Sequence, residues 1–325
     1  MDKAVYEEKL ISNVVASIIS HGGKDCLSSI ILTGSFGRGE PTYSLYSNGE
    51  LQLKSDVEIA LVFSKSSQKK LVEELIQKVS SEFTEELNLM AINEKRVRKA
   101  YNFNFSLCVP KYKTIFTYDL FNGSKTIWGR DFIKEKTIEL TDVDPYEAKR
   151  LVANRIGELT YLQNTSKSKQ NTYLRIQWKG KLMLAIVSAW LICEGEYVSS
   201  YHGQYDKIKA HAQEVEVLMG ERFLEDYAKV FAFLREDGES YEVSDQCLEK
   251  YVRCMSTYFD KKHLSSPKVN SISILLKYTL KYMRTGMRYG IRQFEDHILQ
   301  TLITDFCCKS MKLNEDADVW HRVLY

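Results

Sequence analysis

Apolar residues recur at helical spacing near the start of the chain: Val5, Leu10, Ile11, Val14, Val15 and Ile18 fall on one side of a helix within residues 1 to 24, and Gly22-Gly23 marks its end. The pattern then becomes shorter and denser. "SSIILTGS" reads as a buried strand over residues 29 to 33 followed by a turn, and "DVEIALVF" (56 to 63) as a second, β-branched strand. Between them, "YSLYSNGELQLKS" (43 to 55) alternates polar and apolar residues on both sides of Asn48-Gly49, a hairpin signal. A serine-rich start opens a helix over "SKSSQKKLVEELIQKVSSEFTEEL" (64 to 87). Further strands are expected at "NLMAIN" (88 to 93), "NFNFSLCV" (102 to 109) and "TIFTYDLF" (114 to 121).

Beyond "TDVDPYEAKR", where Pro145 suits a helix start, the pattern is helical almost throughout, with Pro267 the one later proline. This change of texture predicts an α+β chain: a small mixed-sheet domain over residues 1–142, then an all-helical C-terminal domain over 143–325. No internal repeat or low-complexity tract is evident. With 325 residues, 44% hydrophobic and 27% charged, two domains with sizeable cores are expected.

Charge narrows the function classes. Lys and Arg number 45 against 43 Asp and Glu, a formal charge of +2, so no bulk attraction draws the chain to nucleic acid or to an anionic membrane. A local patch is the exception. Lys277, Lys281, Arg284, Arg288 and Arg292 share one helical face with Tyr278, Tyr282 and Tyr289 close by, a surface that suits RNA, an anionic polymer or an acidic partner. The plain alternative is a solvated basic face on a helix that Gly286 and Gly290 weaken.

Seven cysteines form neither a CxxC pair nor a Cys/His cluster at zinc spacing, which points to a reducing, cytoplasmic setting. "MDKAVYEEKL" lacks the apolar core of a signal peptide. The longest apolar stretch, "LMLAIVSAWLIC" (182 to 193), falls short of the roughly 20 residues that span a bilayer, so no membrane span is expected. The six histidines are scattered and receive no role.

Candidate chemistry begins at "ILTGSFGRGE" (31 to 40). A Gly-Ser turn directly after a buried strand exposes backbone N–H groups and a hydroxyl to an anion without obstruction from side chains. Asp56 and Glu58, two apart on a strand, point to the same face. Side-by-side carboxylates repel and call for a cation, and their hard oxygens favour Mg²⁺ or Mn²⁺. Taken singly, the glycines can be an ordinary turn and the acids ordinary surface. If the strands at 29–33 and 56–63 are neighbours, cradle and carboxylates share one end of a sheet.

"TGSFGRGE" followed by "SDVEIALV" resembles the signature of the polymerase-beta-like nucleotidyltransferase superfamily. "TIFTYDLFNGSKTIWGRD" (114 to 131) is similar, more narrowly, to a segment of nucleotidyltransferase-like proteins of bacterial surface-polysaccharide gene clusters. The likeness covers residues 30 to 135 and extends loosely through "NRIGEL" (154 to 159) and "KLMLAIVSAWLICEGEYVSSY" (181 to 201). It implies a nucleotidyltransferase domain at 1–142 and Mg²⁺-dependent transfer of a nucleoside monophosphate, AMP in the simplest case. The donor would be an NTP such as ATP, and the acceptor a hydroxyl or phosphate on a small molecule, sugar or protein.

By the same resemblance, Asp56 and Glu58 are the catalytic metal ligands for Mg (or Mn), and Gly34, Ser35 and Arg38 hold the triphosphate. The helix and exit bearing Lys179, Lys181, Tyr197 and Tyr201 close over the nucleotide, with Lys181 on a phosphate; the alternative is that these lysines snorkel beside a core helix.

Two departures stand out. The interval from Ser35 to Asp56 is longer than the usual spacer, and the hairpin around Asn48-Gly49 absorbs the excess. The third carboxylate belongs on the strand expected at 102 to 109, where Asn104 and Ser106 stand instead, and Asn supplies neither a base nor a negative charge. Asp119 is the nearest acid on a following strand and reads as structural. The alternative expectation is therefore a catalytically impaired protein of the same fold that binds nucleotide and acts as a sensor or assembly partner.

Overall fold

The computed structural model describes residues 3–45, 51–99, 113–164, 172–236 and 238–264. The fold is mixed α+β, with a four-stranded mixed sheet and a majority of helix. Its strands are β1 (Ser29–Leu32), β4 (Val57–Phe63), β5 (Leu87–Asn93) and β6 (Lys125–Gly129), in the order β5-β4-β1-β6. A separate two-stranded ribbon pairs β2 (Tyr43–Leu45) with β3 (Leu51–Leu53) in antiparallel fashion, as the alternation around Asn48-Gly49 predicts; the turn itself lies outside the described residues.

In the sheet, β1 runs antiparallel to both β4 and β6, while β4 and β5 are parallel and joined through helix α4 (Lys69–Ser80). The apolar runs of β1 and β4 are continuous because both faces are covered. On one face Ile30, Leu32, Ile59, Leu61 and Phe63 pack with Leu10, Val14 and Ile18 of α1 (Lys3–Ile18) and with Val72, Leu75 and Val79 of α4. On the other, Ile31, Ala60 and Val62 meet Leu120, Phe121, Phe132 and Ile138. Successive residues of one strand thus serve two cores, as the period of two requires.

Several boundaries differ from expectation. After α1 the chain passes through a wide turn at Ile19–Gly23 and regains one helical turn, α2 (Lys24–Cys26), so Gly22-Gly23 kinks the helix before it ends. The helix expected over 64 to 87 is confined to α4 and a preceding 3-10 turn at Ser66–Gln68. β5 is followed directly by α5 (Glu94–Lys99).

The strand expected at 114 to 121 is a helix, α6 (Ile115–Asn122). Thr114 caps it by accepting a hydrogen bond from the Thr117 N–H at 3.2 Å, and Thr117, Leu120 and Phe121 present a buried face at helical spacing. The strand is the next segment, β6. The strand expected at 102 to 109, with Asn104 and Ser106, lies outside the described residues, as does the basic face at 277–292.

All described helix after residue 145 belongs to α7 (Tyr146–Asn164), α8 (Thr172–Glu194), α9 (Tyr201–Ala210), α10 (Ala212–Met219), α11 (Arg222–Arg235) and α12 (Asp245–Lys261). Pro145 stands just before α7, and Asp144 Oδ1 accepts from the Tyr146 N–H at 2.9 Å. α8 runs to 23 residues, so it is longer than its apolar stretch suggested, and by length and composition alone it is the one described helix that could cross a membrane. Of its most apolar 18 residues, 72% are buried inside the molecule. Leu182, Ile186, Ala189 and Trp190 share a core with Ile156 of α7, Tyr227 of α11 and Met255 of α12; a helix apolar all round forms the centre of a bundle.

Candidate functional site

The glycine-rich stretch is less of a loop than the sequence implies. β1 passes through Thr33 into α3 (Gly34–Arg38), a helix of little more than one turn. Its register is fixed by β4: Leu32 pairs with Ile59, and the Thr33 N–H donates to the Glu58 carbonyl at 2.9 Å. The C-terminal end of β1 and the N-terminal end of β4 therefore coincide, and Gly34 lies against Glu58. Two facts make glycine necessary there. Its φ is +62°, and a Cβ would stand 1.8 Å from Glu58 Oε2.

Asp56 immediately precedes β4 and Glu58 is its second residue. Both are partly exposed. Burial, and then the neighbouring charge of Asp56, push the Glu58 carboxyl above the usual carboxylate range, while Arg38, Arg155 and Lys181 pull the other way. These three cations come from α3, α7 and α8, so the sheet and the helices meet around the acid pair.

Lys181 is itself held below the ordinary lysine range, first by burial and then by Arg155, against the attraction of Asp56, Glu158 and Tyr201. Its ammonium lies 4.4 Å from the centre of the Trp178 ring. Lys179, two residues earlier, does not share the site. It is buried on another side of α8, with Glu242 Oε1 at 2.5 Å and Asp245 Oδ1 at 2.6 Å, and so is a structural lysine and not a snorkelling one.

Arg38 leaves the cradle toward the helices. Its guanidinium sits 4.8 Å from the centre of the Tyr201 ring, and that of Arg235, at the end of α11, 3.8 Å from the same ring. Burial would lower the pKa of Arg38, but Tyr201, Asp119 and Tyr197 outweigh it and raise the value. Tyr201 moves the opposite way: burial works to raise its phenol, and Arg235, Arg38 and Arg155 bring it below its ordinary value. The Nε of Arg235 is buried without a hydrogen-bond partner among the described residues.

Asp119 is turned into the interior. Both carboxylate oxygens accept from the Tyr197 hydroxyl at 3.0 Å, and burial raises its pKa to about 6 against the pull of Arg38. That supports the structural reading of this residue, though it stands on a helix and not on a strand. Among the described residues no group of three or more His, Cys, Asp or Glu side chains is arranged to hold a metal ion.

The structure thus brings Gly34, Arg38, Asp56, Glu58 and Lys181 together, with Ser35 buried beside Gly34. Sequence reading missed Arg155, Arg235 and Glu40. Arg155 stood inside "NRIGEL" without an assigned role, and Glu40 closed the quoted glycine-rich stretch; Arg235 carried no local signal. No protein-family model matches the chain, and no curated protein matches it.

Proposed function

We propose that the chain is a Mg²⁺-dependent nucleotidyltransferase that moves a nucleoside monophosphate from an NTP, ATP in the simplest case, to a hydroxyl or phosphate acceptor. The observation that carries this reading is the meeting of Glu58 with the bare backbone of Gly34, under three converging cations. The finer description, a nucleotidyltransferase domain followed by a helical domain, belongs to the same proposal. So do the divisions 1–142 and 143–325 and a cytoplasmic location.

The donor set fits a hard divalent ion: two carboxylates two residues apart, one raised above its usual range by burial and then by the other, gain most from a cation between them. Asp56 and Glu58 would hold Mg²⁺ (or Mn²⁺), which supplies Lewis acidity and neutralises phosphate charge. Gly34 and Ser35 offer the triphosphate an approach free of bulky side chains. Arg38, Arg155 and Lys181 bring positive charge to the surroundings of Glu58 and would offset the charge of a departing pyrophosphate. The acceptor oxygen would bond to the α-phosphorus as the bond from that phosphorus to the α–β bridging oxygen breaks; pyrophosphate leaves with the bonding pair, and the proton of a hydroxyl acceptor passes to solvent, since Asn104 cannot take it. The buried Nε of Arg235, which has no hydrogen-bond partner among the described residues, is a further donor suited to an anion.

A second reading has its own observation. Asp119, the acid nearest to the missing third carboxylate in sequence terms, is engaged with Tyr197 in the interior, which favours nucleotide binding with weak or absent transfer. Purified protein incubated with each labelled NTP and Mg²⁺ or Mn²⁺ separates the two. Pyrophosphate release that is lost in Asp56→Ala supports transfer. Binding that is lost in Asp56→Ala, with no release by the parent protein, supports the sensor reading. Failure of every NTP to bind removes both.

A further inference from the structure

Glu40 lies two residues beyond α3 and takes no part in the chemistry described above, yet only 8% of its side chain is accessible. All described partners of its side chain but one lie at the start of α9. It accepts from the Ser200 hydroxyl at 2.7 Å, from the Tyr201 N–H at 2.9 Å and from the His202 N–H at 3.1 Å, and its Oε1 lies 2.8 Å from His202 Nδ1. These are the capping positions at the N-terminus of α9, where a carboxylate satisfies N–H groups that the helix leaves open. The remaining partner is Arg38, whose Nε stands 3.6 Å from Glu40 Oε2.

Burial alone would raise the Glu40 carboxyl, but the donors of Ser200, Tyr201 and His202 outweigh it and hold it below the usual carboxylate range. The backbone extends the connection in both directions. The Glu40 N–H donates to the Ser35 carbonyl at 2.8 Å, inside the cradle. Two residues on, the Thr42 hydroxyl donates to the Leu234 carbonyl at 2.9 Å, next to Arg235. Residues 35 to 42 therefore run from the cradle to α9 and then to the end of α11; of the two arginines around Tyr201, Arg38 belongs to this run and Arg235 to the end of α11 that the run reaches.

We propose that Glu40 is a positioning residue: by capping α9 with a side chain anchored two residues from the cradle, it makes the seating of α3 and the seating of the α9 N-terminus a single event. Ser200 caps α9 by accepting from the Gly203 N–H at 3.0 Å, and Glu40 adds the acceptor for the two preceding amides; the cradle then cannot shift against Glu58 without releasing the Tyr201 and His202 N–H groups, and whatever occupies the cradle is felt at Tyr201. The coupling is a property of the fold; its consequence for a nucleotide rests on the function proposed above.

Hydrogen exchange on the full chain tests it. In Glu40→Ala, the amides of Tyr201 and His202 should exchange about five-fold faster, the factor that corresponds to a lost N-cap. The coupling adds a second expectation: the amides of Gly37, Gly39 and Glu40 should accelerate by a similar factor, while those of β1 and β4 stay unchanged. Faster exchange confined to α9 would overturn the proposal, because Glu40 would then be a cap and nothing more. Glu40→Gln, which keeps one acceptor oxygen, should move both sets of amides together but less; it serves as the test if the alanine variant does not fold. In a separate arm, a fluorescent ATP analogue with Mg²⁺ should bind Glu40→Ala about ten-fold more weakly than the parent protein. If the parent protein fails to bind it, the nucleotide reading falls, and the exchange data still decide the coupling.

Discussion

Two buried or half-buried acids of this molecule live in opposite circumstances. Asp226, on α11, is 1% exposed and is met by donors from three directions: the Tyr251 hydroxyl at 2.7 Å, the Arg222 Nε at 3.2 Å and the Tyr241 hydroxyl. Glu58, at the sheet end, faces another carboxylate, a glycine with no side chain to offer, and cations drawn from three different elements. The first acid is satisfied where it stands. The second is raised above its usual range by burial and by its neighbour, so its surroundings oppose the charge that makes it useful. A structural carboxylate comes with its own donors, whereas one left beside a like charge marks a place suited to a cation from outside the chain.

The largest effect should come from breaking the satisfied acid. Asp226→Ala leaves the Tyr251 and Tyr241 hydroxyls without their acceptor at the helical core and frees the largely exposed Arg222 guanidinium, which should cost on the order of 3 kcal/mol in chemical denaturation. A loss below about 1 kcal/mol would mean that the donors find other partners and that the contrast with Glu58 is overstated.

Asp119 sharpens the comparison because it has a hydroxyl partner and is still penalised. Its folded-state pKa of about 6 exceeds the ordinary value of 3.8, so the folded state holds the proton more tightly. The stabilisation from that proton is complete below the ordinary carboxylate range and is lost as pH rises through about 6. Asp119→Asn removes this dependence while keeping an acceptor for Tyr197. Between pH 4 and pH 7, the stability of the variant should rise relative to the parent protein by about 2 to 3 kcal/mol, measured by denaturant unfolding at each pH. A difference that does not change with pH would show that Asp119 is charged at no cost, with Arg38 compensating fully.

Much of this contrast was legible in the sequence because it is local. Strand ends and the period of two placed Asp56 beside Glu58, and "LTGS" ended a strand where such pairs occur. The strand pattern also anticipated β1, β4, β5 and both arms of the ribbon. What failed was arbitration and distance. "TIFTYDLF" is short, apolar and β-branched, so periodicity alone could not separate helix from strand; the capping geometry of Thr114 to Thr117 was the usable signal. Arg155 and Arg235 were missed because the face a helix turns toward a distant loop depends on tertiary packing, and no local pattern records it. Lys181 was reached through a resemblance, not through its surroundings.

A smaller effect, but a more specific one, is expected at the glycine that admits Glu58. Gly34→Ala adds strain at φ +62° and a Cβ that would stand 1.8 Å from Glu58 Oε2, so the carboxylate must move. Gly195 is the control: its φ is +73°, and nothing lies within 4 Å of a Cβ built there. Both substitutions should cost about 1 kcal/mol of backbone strain. Gly34→Ala alone should also weaken Mg²⁺ or Mn²⁺ binding followed by calorimetry. Equal metal affinity in the two variants would sink the claim that Gly34 exists to seat Glu58.

The smallest shift in stability carries the sharpest sign. Glu58→Gln keeps the shape of the side chain and removes the charge that burial and Asp56 oppose. Because the folded-state pKa of Glu58 is raised, its proton stabilises the folded protein at low pH, and that contribution is lost as pH climbs past the ordinary carboxylate range. The glutamine variant should therefore match the parent protein in acid and become the more stable of the two near neutral pH. Added Mg²⁺ should reverse the order by stabilising only the parent protein, since a ligand that binds the folded state alone raises its stability. Thermal unfolding of both proteins with and without Mg²⁺ reads all four values. A glutamine variant less stable than the parent protein without metal would place Glu58 with Asp226, among acids that the fold itself satisfies.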